Sequence, residues 1–336
     1  MATGATLVAA LALTACGNSG GDTTPTGGGG ADGVKVAFIP KIQGIPFFEA
    51  MNSGGKDAAT EFGFTWVYSG ATTADPAAQA DVARSLIQQK VDALAVAPND
   101  PDSMAPVLQD AKNAGIVPFT ADTDAASSAR EFFVSQASTE GIGGALIDQL
   151  ATAMGDSGEF AIVSCGRTAA NLNAWIDVIK SKAAADYPNL KLVDTVYADE
   201  DQAKAVTMAK DLMNAHPNLS GLIGPCTTAA PGIAQAVDEA GKTGTVRTVG
   251  VGTPQAMLPF LTNGSSSASV LWNVEDHGYL TGWAGWQAAQ GIAFPSDGQP
   301  FDVGRLKGVT YDAASKVLLL GDPLILTADN AGDYDY

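Results

Sequence analysis

The sequence predicts an α/β fold: two doubly wound parallel-sheet domains joined by a hinge. Three observations predict it. Apolar runs of strand length alternate with helical patterns, the alternation restarts near the middle of the chain, and 336 residues suffice for two cores.

Residues 34–40 (VKVAFIP), an apolar run flanked by Gly and Pro, read as a buried strand. Residues 47–62 follow as a helix, with Pro46 at or just before its first turn. Strands are expected at 64–68, 93–97 and 116–120, and helices at 76–90 and 102–114; Val82, Leu86 and Ile87 share one helix face. A strand at 131–135 and a helix at 142–154 close this series. The second series runs strand 160–164, helix 172–185, strand 190–197, helix 202–214, strand 221–224 and helix 232–240, then strands 247–251 and 268–272. A helix at 279–290 and strands near Val309 and at 317–320 remain to be placed. Such βαβ units imply parallel sheets. The expected first domain is 34–136 plus about 275–305, and the second 137–274 plus about 306–336. A chain that crosses between domains more than once makes a hinge, and ligand sites favour the cleft it closes.

Composition narrows the function classes. A net charge of −18 argues against nucleic acid and against a patch for anionic lipid. It suits a receptor for an uncharged ligand, and equally many acidic enzymes. The chemistry of an enzyme is not legible. His216 and His277 lack the i,i+4 partner of a zinc site, no Walker A sequence occurs, and GVG (250–252) lacks the third glycine of a dinucleotide loop. GDSG (155–158) reads as a turn between helix and strand. DED (199–201) lacks the spacing of a calcium loop and reads as a solvated loop. No catalytic residue, metal or cofactor is therefore expected.

Open α/β sheets bind ligands beyond the carboxyl ends of their strands. That rule selects Lys41, Asn99, Asp100, Asp122 and Asp124 in the first domain. In the second it selects 167–173, which carries Asn171 and Asn173, then Pro225 to Thr227, and Asn273. Amides, carboxylates and one ammonium offer the paired donors and acceptors that a polyhydroxylated ligand requires. Asn and Asp are also common turn residues. Phe47 and Trp272 suit either the flat wall of a sugar site or core packing. Cys165 and Cys226 each follow an apolar run, so both fall at strand ends; they form either a disulfide or two partly buried thiols.

Residues 7–15 are apolar but too short to span a bilayer, and LTACG (13–17) resembles the bacterial lipobox. Residues 1–16 are thus expected to be a lipoprotein signal peptide, with Cys16 the lipidated residue. Residues 17–33, rich in Gly, Ser and Thr, read as a flexible tether.

VAFIPK (36–41), PFFEAMNSGGKDAA (46–59), VDALAVAPNDPDSMAPVLQDAKNAGI (91–116) and FTADTDA (119–125) resemble the type 1 periplasmic binding proteins of sugar ABC importers. The branch of the autoinducer-2 and rhamnose receptors is the most similar. FVSQAS (133–138), GPCTTAAPGIAQAV (224–237), LWNV (271–274) and GDYDY (332–336) extend the likeness. The resemblance implies a hinged two-domain fold, here expected as a monomer that Cys16 anchors at the outer face of the cytoplasmic membrane. It would close on a small neutral sugar or polyol (rhamnose-like, a pentose, or a tetritol or pentitol) and deliver it to a permease and its ATPase. Lys41 and Asp122 match ligand-contacting positions of the autoinducer-2 receptor, and Pro225 matches through its backbone. The receptor's Asp-Gln pair falls on Asn171 and Leu172, and its small Ala on Thr227, which disfavours autoinducer-2 itself. Two further readings share this fold: an autoinducer-2-type signal receptor, and a sugar sensor passing its closed state to a membrane sensor kinase.

Overall fold

The computed structural model describes residues 33–295 and 298–336; Cys16, the expected leader and nearly all of the tether lie outside the described residues. In the first lobe, β1 (Lys35–Ile39), β2 (Thr65–Tyr68), β3 (Ala93–Val96), β4 (Val117–Ala121) and β5 (Phe133–Ser135) form a parallel sheet in the order β2-β1-β3-β4-β5. In the second, β6 (Gly158–Ser164), β7 (Leu190–Tyr197), β8 (Leu219–Gly224), β9 (Arg247–Gly250) and β10 (Ala268–Leu271) repeat that order as β7-β6-β8-β9-β10. Strand order therefore reverses between β1 and β3 in one lobe and between β6 and β8 in the other. A crevice opens at such a switch point.

Local sequence sets where the helices start. Pro opens α1 (Pro46–Phe62), α2 (Pro76–Gln88), α3 (Pro101–Asn113) and α8 (Pro254–Asn263), where a missing N–H costs nothing. Asp75 and Asp100 cap α2 and α3, Ser138 caps α4 (Thr139–Met154), and Asp201 caps α6 (Gln202–Ala215). The remaining helices are α5 (Ala170–Asp186), α7 (Ala229–Glu239) and α9 (Val274–Ala289). Among the described residues, no helix is long and apolar enough to cross a membrane.

The chain passes from the first sheet to the second after β5, and returns between β10 and α9, which packs on β1, β3, β4 and β5. A short sheet extension follows in the first lobe. β11 (Phe301–Val303), β12 (Leu306–Asp312) and β13 (Val317–Leu319) pair in series, and β13 lies parallel to β5. Only then does the chain cross again, to β14 (Leu324–Leu326), antiparallel to β10. This corrects the expectation that 306–336 belong to the second domain. Residues 306–319 complete the open edge of β5, and the boundary falls at 320–323. Three short elements, α8, β11 and β14, have no counterpart in the sequence expectations. α8 holds Pro at both its start and its interior, and the two strands are three residues each.

Candidate functional site

The strand ends of both lobes meet in one cleft. Lys41 follows β1 and Asp122 follows β4. Asn171 lies in the first turn of α5, and Pro225 and Thr227 follow β8. Lys41 Nζ donates to Asn171 Oδ1 at 3.0 Å and stands 3.4 Å from Asp122 Oδ2. Both charged side chains are about 95% buried, at 6% and 5% exposure, so each depends on the other for the solvation it has lost. Around them lie Ile45, Phe47, Phe48, Leu172, Trp175, Val251 and Trp272, closing the polar group in with apolar wall. Phe47 meets Trp272 edge-on at 5.7 Å across the lobes. The Trp272 indole N–H is buried without a hydrogen-bond partner among the described residues.

The polar groups are held from behind. Gln79 of α2, 1% exposed, donates through Nε2 to the carbonyls of Pro40 and Ala97 at 2.9 and 2.8 Å. Its Oε1 accepts from Asn99 N at 2.9 Å, and Asn99 Nδ2 donates to the Lys41 carbonyl at 2.8 Å. One buried amide thus clamps the ends of β1 and β3 at the switch point and fixes the backbone that carries Lys41. Asp122 has a left-handed backbone, with φ of 65°. Such a conformation costs a non-glycine residue on the order of 1–3 kcal/mol. It is held by Asp122 N donating to Val134 O at 3.2 Å and by Thr123 Oγ1 donating to the carboxylate at 2.9 Å.

In the second lobe, Cys165 after β6 and Cys226 after β8 are joined by a disulfide, with Cα atoms 6.2 Å apart. The bond ties the two strands that flank the switch point. Of the two alternatives open from sequence, the structure contains the bonded pair.

The space enclosed by these side chains is about 30 Å³. That is room for a water or two, because Lys41 and Asn171 bridge the lobes directly. A larger hollow of about 620 Å³ adjoins it on the side of β5 and β13, sharing Asp122, Asn171 and Trp175.

Of the residues proposed from sequence, Lys41, Phe47, Asp122, Asn171, Pro225, Thr227 and Trp272 come together in this cleft. Five do not line it. Asn99 braces Lys41 from behind, and Asp100 caps α3 by accepting from Ser103 N at 2.8 Å. The Asp124 carboxylate is taken by Arg130 Nη2 at 2.7 Å and Thr120 Oγ1 at 2.7 Å, and it faces the larger hollow. Asn173 Nδ2 donates to the Arg167 carbonyl at 2.9 Å, bracing its own loop. Asn273 caps α9 by accepting from Asp276 N at 3.0 Å. In the latter two, turn and cap chemistry hold the side chain.

Sequence reasoning missed Trp175, Phe48 and Glu200. Trp175 sits one helical turn after Asn171, so the i,i+4 rule would have found it. Glu200 lies beyond the carboxyl end of β7, the position at which the strand-end rule would have found it. The expectation of a solvated acidic loop at 199–201 is corrected at Glu200; Asp199 and Asp201 are exposed. Glu200 lines the cleft, and Asp201 caps α6 by accepting from Lys204 N at 3.0 Å.

Comparison with known proteins bears on this geometry. A family profile described as periplasmic binding protein domain matches residues 36–293. The chain belongs to the periplasmic binding protein family. It is a binding protein rather than an enzyme. The chain is 28% identical over 266 residues to a D-ribose/D-allose-binding protein of Pseudomonas aeruginosa, covering 77% of this chain and 82% of that one. Its fold superposes on LsrB from Clostridium saccharobutylicum in complex with AI-2, with a TM-score of 0.85 at 26% identity, over 90% of this chain and 100% of that one. It likewise superposes on a solute-binding protein from Clostridium phytofermentas with bound L-rhamnose, with a TM-score of 0.84 at 28% identity, over 90% and 98% of the two chains.

Proposed function

We propose that this periplasmic binding protein is the solute-binding lipoprotein of an ABC importer, and that it captures a small neutral sugar or polyol in the cleft between its lobes. The observation that carries this reading is the group of Lys41, Asp122 and Asn171 enclosed by Phe47, Trp175 and Trp272. One ammonium, one carboxylate and one amide match vicinal hydroxyls, while flat rings suit a C–H face. Ligand hydroxyls would take over the bond between Lys41 and Asn171, so the same atoms that now join the lobes would join them through the ligand. The closed form is what a permease with its ATPase would read, and Cys16 would hold the protein at the outer face of the cytoplasmic membrane.

Relatives that bear the names of D-ribose, D-allose and L-rhamnose support the ligand class. The likeness to an AI-2 complex favours a second reading, a receptor for that signal. Asn171, Leu172 and Thr227 speak against it. Leu172 brings no hydrogen-bonding group to the cleft, and a buried polar ligand group left unpaired costs about 1–3 kcal/mol.

Titration calorimetry against L-rhamnose, D-ribose, D-allose, xylitol, erythritol and autoinducer-2 tests both readings. At least one neutral sugar or polyol is expected to bind, and Lys41→Met or Asp122→Asn to weaken it about tenfold or more. Binding of autoinducer-2 alone would establish the second reading, and binding of none would overturn both.

A further inference from the structure

Glu200 stands in the cleft by way of an unusual turn. Asp199 and Glu200, neither a glycine, both have left-handed backbones, with φ of 54° and 60°. The turn is closed by Asp201 N donating to Ala198 O at 3.0 Å. Ala198 N donates to Ser164 O at 2.7 Å, which fastens the turn to the end of β6 beside the disulfide. Two consecutive left-handed residues cost on the order of 1–3 kcal/mol each and persist where the surroundings impose them. What this turn accomplishes is to aim a carboxyl inward. Glu200 lines the same enclosed space as Lys41 and Asp122, and has a carboxyl oxygen within 4.8 Å of both disulfide sulfurs.

The charge balance follows. Among the described residues lining this space, the ionisable groups are Lys41, Asp122 and Glu200. Lys41 pairs with Asp122, so Glu200 is a second carboxyl without a second cation. Resting on the sugar or polyol reading above, we propose that Glu200 is the specificity-determining residue of the cleft, accepting hydrogen bonds from a neutral polyhydroxylated ligand and excluding its carboxylate and phosphate relatives. A carboxylate accepts from two adjacent hydroxyls. An anionic ligand would instead meet an uncompensated like charge in a dry site.

Titration supplies an independent readout. Burial holds the Glu200 carboxyl above the ordinary carboxylate range; Lys41 from the end of β1 opposes this, while Asp122 from the end of β4 and Asp199 on its own turn reinforce it, and the Thr228 hydroxyl opposes it. Arg167, from the loop after β6, lines the neighbouring groove with Glu200, its guanidinium stacked 4.5 Å over the Tyr197 ring. Hydroxyl donors from a ligand replace the lost hydration of the ionised form. Ligand therefore binds the ionised carboxylate better, and affinity rises with pH as Glu200 deprotonates.

The test uses the neutral probes L-rhamnose, D-ribose and xylitol with the acids D-ribonate and D-xylonate, by titration calorimetry at several pH values. Wild type is expected to bind a neutral probe, to reject its acid, and to gain affinity with rising pH. In Glu200→Gln the neutral affinity falls about tenfold, the preference over the acid narrows about tenfold or more, and the pH dependence flattens. Glu200→Asp keeps the exclusion of the acid with weakened neutral binding. Equal losses for neutral and acid probes, with the pH dependence intact, would make Glu200 a structural residue and overturn the proposal, as would unchanged affinities. Failure of the wild type to bind any neutral probe would instead sink the sugar or polyol reading itself, and this inference with it.

Discussion

The carbonyl oxygen of Val134 receives two donors, Asp122 N at 3.2 Å and His277 Nε2 at 3.0 Å. A carbonyl only accepts, so Nε2 carries the imidazole proton, while Nδ1 is buried with no partner among the described residues. Burial lowers the His277 pKa below its ordinary value, and the Val134 bond and the nearby Asp122 charge offset only part of this. The sign is fixed: the unfolded chain takes up a proton near pH ~6.5 that the folded protein refuses. Stability is therefore complete above that pH and declines as pH falls towards the lowered folded value. Denaturant midpoints followed from pH ~7.5 to ~5 should fall more steeply for the wild type than for His277→Gln; parallel curves would mean that His277 does not titrate differently in the two states. At this scale the sequence is legible in part. Lys41, Asp122, Pro225 and Thr227 are picked out together because the strand ends of both sheets converge on one cleft. Asn173 and Asn273 do not line that cleft, because an amide near a helix start caps and braces as readily as it binds. Glu200 is hidden because an acidic run resembles a solvated turn until the turn's handedness is known.

α1 and α9 are separated in sequence yet pack backbone to backbone beneath the first sheet. A Cβ on Gly54 would overlap the Glu275 carbonyl, and a Cβ on Gly278 would overlap the Met51 carbonyl. The glycines are there for close approach, since both helices are regular at these positions. The contact places Phe47 and Phe48 at the head of α1 beside the crossover that carries Trp272 and Asn273. Gly54→Ala and Gly278→Ala should each destabilise the protein on the order of 3 kcal/mol, because backbone, unlike a flexible side chain, cannot move aside. Thermal or denaturant unfolding checks this, and a change within about 0.5 kcal/mol of wild type would show that the helices separate freely. Element types were largely legible because strand length, helical period and Pro or Gly boundaries agree locally. Membership of a sheet was not. β13 pairs with β5, far away in sequence, and carries β12 with it; nothing in a three-residue run such as Val317–Leu319 states which open edge it will complete.

Across the whole molecule, three crossovers link the lobes, and a few contacts decide how firmly they shut. Lys41 and Asn171 meet at the centre of the cleft. Phe47 and Trp272 meet on the hinge side, where Tyr336 braces the second crossover by accepting from Val274 N at 3.3 Å and donating to Trp272 O at 3.4 Å. A third contact lies away from the ligand-facing side chains: Thr168 Oγ1, in the second lobe, donates to the Asn99 carbonyl in the first at 3.0 Å. Lobes that shut through such bonds need not wait for a ligand; each bond shifts the equilibrium between open and shut forms by its own free energy. Removing the Thr168 hydroxyl while keeping its shape deletes about 1 kcal/mol from the shut form alone. Thr168→Val should therefore weaken affinity about fivefold for whichever ligand the cleft takes. Small-angle scattering should show a larger radius of gyration for Thr168→Val than for wild type before ligand is added, with the two converging at saturation. Equal radii before ligand, together with equal affinities, would show that this bond follows closure without favouring it, and that the cleft is shut by the side chains that face the ligand.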